Sequence, residues 1–381
     1  MNYLINLYNQ VAAGPKAISL SLISEIAKMH LKDERIIFIV PNFVEYESLI
    51  SAGNLTFIKL KKYESTILKI LYRIYIEFIL IPYICISKSI NAYLAFGNFL
   101  LSPVFGIRKI VLVHHPYLFD DTQIVRLNWI LEKIERIKRV AFYLTARNVD
   151  LVVVESDHVA QAISNKYHIP ITNITSIKGP LSANLKYLNQ QQFAEVSSHR
   201  LSSIKKCLNL IFVSRFYPHK NHEFLIALSN EFQHREIKHQ IFVTLNPEID
   251  GVNQFIDKAK LLNLPIVNIG EIPQSNLDSY YKNCHALIFP SQSETFGIPM
   301  VEAIAYGLPV ITPNLSYSRS VLADHAIYYI NNDVKNCADK VIPYLFDLNR
   351  YQSLSNDSYQ FSSNYLFANE WAKRYFELLK A

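Results

Sequence analysis

A chain of 381 residues is too long for one ordinary hydrophobic core and suits two domains of similar size. Half of its residues are apolar and 18% are charged, which excludes a disordered chain. A formal charge of +6 is compatible with anionic lipid, nucleic acid or a nucleotide diphosphate. No Lys/Arg block with interleaved aromatics marks a nucleic-acid-binding module.

The chain opens on an apolar run, Tyr3 to Leu7. A polar loop through Gly14-Pro15-Lys16 is expected next, then a helix over Ala17 to His30 and a β-branched run, Arg35 to Val40. That β–loop–α–β order is the grammar of a parallel sheet with helices on its faces. Met1 to Ala12 carries no basic segment followed by a long apolar run, so no secretory signal is expected and the chain is placed in the cytoplasm. The most apolar stretch, Ile67 to Ile86, is interrupted by Lys69, Arg73, Glu77 and Pro82. It reads as an interfacial or buried helix and a poor membrane span.

Further short strands are expected at Tyr93 to Phe96, Lys109 to His114 and Leu151 to Glu155, with an amphipathic helix over Arg126 to Arg147 among them. Around Pro180 to Leu201 the periodicity fades into Ser, Asn and Gln, which reads as an interdomain linker. A second strand set follows: Leu208 to Val213, Gln240 to Leu245, Ile266 to Ile269, Ala286 to Phe289 and Pro309 to Thr312. The last stretch, Phe367 to Leu379, is amphipathic. The fold class is therefore α/β, two Rossmann-like domains facing each other across a cleft. The four cysteines, Cys85, Cys207, Cys284 and Cys337, are widely spaced and read as reduced thiols of a cytosolic chain. The twelve histidines form no HExxH-like pattern, so no metal is expected.

The sharpest local signal runs Pro290-Ser-Gln-Ser-Glu294-Thr-Phe-Gly297-Ile-Pro299-Met-Val-Glu302-Ala-Ile-Ala-Tyr-Gly307-Leu-Pro309-Val310. A strand stops at Pro290, and a loop then leads into a helix with Pro299 in its first turn and Gly307 just past its end. Free backbone N–H groups at such a helix start attract phosphate or a developing negative oxygen. Gly297 removes side-chain bulk where a ligand would approach the backbone. Glu294 in the loop and Glu302 about one turn inside the helix can accept hydrogen bonds from vicinal hydroxyls of a sugar or ribose. Two glutamates at arbitrary spacing are ordinarily solvated surface charges, and this strand–loop–Gly–helix frame favours the binding role.

The second signal is Ser214-Arg215-Phe-Tyr-Pro-His-Lys220-Asn221. A buried strand delivers Arg215 to the loop at its carboxyl end, and Lys220 is expected to open the next helix. A planar guanidinium fork and a compact ammonium suit a diphosphate. Neutralising a nucleotide-diphosphate leaving group is the main electrostatic demand of glycosyl transfer.

Arg215, Lys220-Asn221, Gly270-Glu271-Ile272-Pro273 and the Glu294-x7-Glu302 block, in this order, resemble glycosyltransferase family four, a family of retaining GT-B enzymes ("glycosyl transferases group 1"). The likeness covers about Leu208 to Asp333 and reaches only thinly into the N-terminal half. It implies that Arg215 and Lys220 bind the donor diphosphate, that Glu294 contacts the transferred sugar, and that Glu302 binds the ribose hydroxyls. It also implies that backbone groups around Phe296, Gly297 and Ile298 contact sugar and phosphates, and that Ile272 borders the base. Ser214 stands where the family usually has glycine. Gly14 lies where the family keeps a glycine-bearing loop near the donor, and a plain turn fits it as well. Of the paired His114 and His115, His114 fits better the place where the family's histidine touches the donor sugar; a hydrogen-bonded structural histidine is the alternative. Val154-Glu155-Ser156 is expected to be structural. The expected division is 1–187 for the acceptor domain, with 366–381 packing back on it, and 188–365 for the donor domain.

The resemblance implies a retaining transferase that uses a nucleotide-diphosphate sugar as substrate and needs neither cofactor nor metal. The departing phosphate itself takes the acceptor's proton, so no side chain is required as general base. Basic amphipathic stretches, Arg126 to Arg147 and Lys61 to Ile86, fit either an anionic membrane surface or ordinary packed helices. They favour a lipid-linked saccharide acceptor, peripheral attachment to the inner face of the cytoplasmic membrane, and a place in O-antigen, capsule or lipopolysaccharide synthesis. The alternatives are a GT-B sugar-nucleotide epimerase and a non-catalytic sugar-nucleotide-binding protein.

Overall fold

The structure is a computed structural model that describes residues 1–381 apart from 12, 64, 125–128 and 183–184. It divides into two compact units: Met1–Gly179 with Phe367–Ala381, and Pro180–Leu366.

The first unit is a parallel sheet of β1 (Asn2–Asn6), β2 (Arg35–Pro41), β3 (Leu55–Leu60), β4 (Ala92–Ala95), β5 (Arg108–Val113), β6 (Leu151–Val154) and β7 (Ile174–Ser176). Its strand order is β3-β2-β1-β4-β5-β6-β7. Central strands such as LVVV of β6 are buried along their whole length, the composition of strands covered by helices on both faces. The chain winds outward from β1 to β3 and then returns to lay β4 on the other side of β1. The loops after β1 and β4 therefore flank the point where winding reverses, the usual ligand position of such sheets. The helix Ala368–Lys380 packs against the helix Ala13–Ala27 and β4, with Trp371 and Tyr375 buried against Phe96.

The second unit carries β8 (Leu208–Phe212), β9 (His239–Val243), β10 (Ile266–Asn268), β11 (Ala286–Ile288), β12 (Val310–Pro313) and β13 (Ile327–Tyr329). Its order is β10-β9-β8-β11-β12-β13, all parallel. Winding reverses between β8 and β11, the two strands that deliver the Arg215 and Glu294 loops.

Several local expectations are corrected. Gly14, Pro15 and Lys16 lie in the first turn of the helix Ala13–Ala27, not in a loop before it. A proline is tolerated there because first-turn N–H groups have no helical partner. Lys220 ends a short 3₁₀ turn, Pro218–Lys220, and the following helix starts only at Glu223. The stretch read as a linker holds a capped helix, Gln190–Ser203, inside the second unit. The chain passes between units at Gly179–Pro180, not at 187/188, because Leu181, Leu185 and Leu188 are buried in the second unit's core. Arg126 lies outside the described residues, and the helix there is described from Trp129 to Asn148.

The apolar stretch is a long helical rod: Thr66–Tyr75, a widened turn Ile76–Leu80, and Ile81–Ser87. Pro82 has no N–H for the preceding turn, and the widened turn just ahead of it absorbs that gap. Over Leu68–Ser87 the rod is long and apolar enough to cross a membrane by length and composition. Its inner side is nonetheless docked. The Ser102 hydroxyl donates to buried Glu77 at 2.6 Å, and Arg73 lies 3.4 Å from the same carboxylate. Drawing that carboxylate into hydrocarbon would be costly.

Candidate donor-binding site

The site is built at the reversal point of the second sheet. Asn221, in the left-handed region at φ +57°, ends the turn that carries Lys220. Asparagine tolerates that conformation better than most residues. The loop after β11 is held from both sides: the Tyr317 hydroxyl donates to Ser291 O at 2.6 Å, and Gln292 N donates to His219 O at 2.7 Å. Asn332 joins the two loops, its Oδ1 accepting from Asn221 Nδ2 at 3.0 Å and Gln292 Nε2 at 2.8 Å.

These supports bring Lys220 Nζ to within 2.5 Å of Glu294 Oε1, with both side chains largely covered. Arg215 follows β8, the strand beside β11. It is half-buried, its Nε meets no partner, and no carboxylate pairs with it among the described residues. One cation is thus held by a carboxylate, and the other pairs with none among the described residues.

Gly297 starts the helix Ile298–Ala305 at φ +89°, a conformation that suits glycine. A Cβ there would lie 2.7 Å from Met300 Cε. The Phe296 ring is buried in the core, and Ile298 is partly buried against the same core.

Glu302 sits inside that helix, 2% exposed. Gln274 Nε2 donates to its Oε1 at 2.7 Å, and the Tyr281 hydroxyl donates to its Oε2 at 2.9 Å. Burial pushes its carboxyl up to about 7, against the lowering effect of those two donors. Gln274 follows directly on Gly270–Pro273, so the segment holding Ile272 is tied to the carboxylate expected to bind ribose. Ser214 is also fixed: its N–H donates to Thr244 Oγ1 at 3.2 Å, and its hydroxyl lies 3.1 Å from His222 Nε2. Burial and the neighbouring Lys220 push His222 down to about 3, so it is neutral.

In the first unit, Lys16 pairs with Glu45 and is not a free charge, and Gly14 has open space around its Cα. His115 is committed to Glu135 at 2.8 Å, a carboxylate that Lys138 also meets at 2.6 Å. His114 meets no carboxylate among the described residues. Burial and neighbouring His115 push its imidazole down to about 4. Asn98 Oδ1 accepts from His114 N at 2.8 Å, which turns its amide N–H group toward His114 Nε2, 3.5 Å away. Nε2 then accepts, the proton rests on Nδ1, and that atom has no partner among the described residues. Ser156 caps the helix Asp157–Tyr167.

Sequence reasoning missed four supporting residues: Asn332, His222, Gln274 and Arg200. The first three give no signal without the loop contacts. Arg200 is a buried arginine that donates to the carbonyls of Tyr281, Lys282 at 3.1 Å, Tyr306 at 3.1 Å and Gly307 at 3.0 Å. These carbonyls end the helices Gln274–Asn283 and Ile298–Ala305, where a cation satisfies unpaired acceptors.

Two parallel-sheet units, each reversing its winding beside the first strand, define the GT-B class of glycosyltransferase folds. Residues 198–361, within the second unit, match the family described as glycosyl transferases group 1. An uncharacterised 41.2 kDa protein of the cps region of Klebsiella pneumoniae is 28% identical over 134 residues, 33% of this chain and 35% of that protein. The serotype-specific mannosyltransferase WbdA of Escherichia coli is 22% identical over 238 residues, 59% of this chain and 29% of that protein. The matches thus span about a third of the length of these relatives. Among solved structures, a sucrose-phosphate synthase of Thermosynechococcus elongatus superposes with a TM-score of 0.78 at 14% identity, covering 100% of this chain and 98% of the other. Anabaena Alr3699/HepE in complex with UDP-glucose gives 0.71 at 14% identity, covering 100% and 99%.

Proposed function

We propose that this chain is a retaining glycosyltransferase that moves a sugar from a nucleotide-diphosphate sugar to a lipid-linked saccharide in surface-polysaccharide synthesis. The observation that carries the reading is the Lys220–Glu294 pair, with the adjacent strand's Arg215 pairing with no carboxylate among the described residues and the glycine-led start of the helix Ile298–Ala305 following Glu294. A diphosphate takes Arg215 and shares Lys220 with Glu294, whose freed oxygens then accept from the sugar hydroxyls. As the glycosyl–phosphate bond breaks, negative charge grows on the departing oxygen, and both cations with the helix start stabilise it. That phosphate oxygen accepts the acceptor hydroxyl's proton, so the bond forms on the face from which the nucleotide leaves. His114, neutral with its proton on Nδ1, has the form needed to donate to a sugar oxygen.

Neither a cofactor nor a metal takes part in this scheme. Relatives named as O-antigen mannosyltransferases support a role in surface polysaccharide and a nucleotide-linked mannose as the first donor to try. UDP-glucose is the second, after the solved complex. The chain is placed in the cytoplasm, against the inner membrane face where such acceptors are built.

The test incubates the purified chain with each donor and a lipid-linked saccharide extract, and reads nucleotide diphosphate release and the product's anomeric configuration. The expected result is release that depends on acceptor, with the donor's α or β configuration kept. Inverted product contradicts the retaining reading. Conversion of the donor to an epimer without acceptor contradicts the transferase reading.

A further inference from the structure

The described residues include twenty-nine large hydrophobic side chains that stand exposed. Nine lie on the rod Leu68–Ser87, eight on the helix Trp129–Asn148, and Phe105, 84% exposed, on the loop 97–107. Soluble surfaces scatter such residues singly, so a gathering on two helices calls for a partner.

The two helices cover one hydrophobic cluster of the first unit. Both are bolted to the same loop: the Ser102 hydroxyl reaches Glu77 of the rod at 2.6 Å, and Leu100 N donates to Thr145 Oγ1 of the second helix at 3.1 Å. Their inner sides, Ile81 and Ile84 from one and Phe142 from the other, join one hydrophobic cluster. Their outer sides carry Ile79 and Ile86 on the rod and Ile137 and Val140 on the helix, all well exposed.

The charges on this face select the partner. The helix Trp129–Asn148 holds five cations, among them Lys133 and Arg147, against two glutamates, and the rod is flanked by Lys61, Lys62 and Lys88. Lys133 lies over the Trp129 ring at 4.9 Å and Arg147 over the Tyr143 ring at 3.6 Å, so exposed aromatics and cations stand side by side. A second copy of this face would set cation against cation. Apolar side chains rimmed by cations and amphipathic aromatics match the boundary of an anionic bilayer, where acyl chains meet phosphate headgroups.

We propose that this two-helix face inserts its apolar side chains into the headgroup–acyl boundary of a membrane containing anionic phospholipid, with Lys and Arg on the headgroups. The purpose rests on the reading of a lipid-linked acceptor; the face itself does not.

Trp129 is 66% exposed on this face and Trp371, the only other tryptophan, is 2% exposed in the core, so emission from Trp129 reports insertion. The full chain is floated with phosphatidylcholine vesicles, with and without phosphatidylglycerol, at low and high salt. Expected are co-flotation with the anionic vesicles that salt weakens without abolishing, and a blue shift that Trp129→Phe removes. Ile79→Glu with Ile137→Glu should lower the bound fraction on the order of tenfold, while Leu261→Glu in the second unit leaves it unchanged. The proposal is overturned if the chain floats with neither vesicle, or if the double variant floats like the parent. It is also overturned by a concentration-dependent dimer that the double variant dissolves, which assigns the face to a second copy. Donor turnover measured without vesicles keeps the two readings apart: a chain that binds vesicles but consumes no sugar nucleotide sinks the transferase and leaves the docking face standing.

Discussion

Lys220 and Glu294 hold each other at 2.5 Å, and neither is freely solvated. Lys220→Met would leave Glu294 covered and without its partner, at a cost of about 1–3 kcal/mol. A lower urea midpoint and weaker nucleotide-diphosphate binding should follow together, and an unchanged midpoint would contradict the pairing. Glu302 makes a prediction about pH. Its carboxyl stands at about 7 against an ordinary 4.5. A group raised in this way stabilises the folded chain most below pH 4.5 and loses that contribution as pH rises through 7. The cost is about 3 kcal/mol at full ionisation. Melting temperatures across that window should therefore fall more steeply in the parent than in Glu302→Gln. Parallel curves would mean that Glu302 does not titrate there.

The elements that carry the site are short, so their ends matter more than their lengths. Gly297→Ala puts an L side chain at φ +89° with its Cβ 2.7 Å from Met300 Cε. The strain is about 1–2 kcal/mol, and turnover should fall at least tenfold because the helix start moves. Retained turnover would show that this start does not hold the donor. Arg200→Met leaves the closing carbonyls of two helices without their donor, and a loss of about 3 kcal/mol is expected in urea unfolding; a midpoint matching the parent would contradict the clamp. Most strands legible in the sequence were buried ones with continuous apolar runs; the exception is β10, an edge strand with no buried residue, whose Ile266-Val267 pair still marked it. Those not read were β3, β7 and β13, each at an edge of its sheet. An edge strand is half-covered and carries polar residues such as Thr56 and Lys59 of β3, so its pattern blurs into loop. The Arg200 clamp was equally hidden, since one arginine in a Ser- and Gln-rich stretch has no periodic signature.

For the whole molecule, the order of strands was readable as two α/β halves because each half repeats strand and helix at short range. The crossing point was not, because Leu181, Leu185 and Leu188 are spaced too sparsely to announce a core they join only in three dimensions. Most of the loops of the candidate site could be read because strand ends, Gly297 and the glutamates fall within a few residues of one another. For the two basic amphipathic helices the sequence left membrane surface and ordinary packing open, since the same pattern serves a buried helix and an exposed one. Arg215 tests the central claim most directly: it meets no carboxylate among the described residues, so losing it should spare the fold. Donor consumption by Arg215→Ala, compared with the parent at matched melting temperature, should fall by on the order of a hundredfold or more. Consumption within a few-fold of the parent would contradict a diphosphate held at this place.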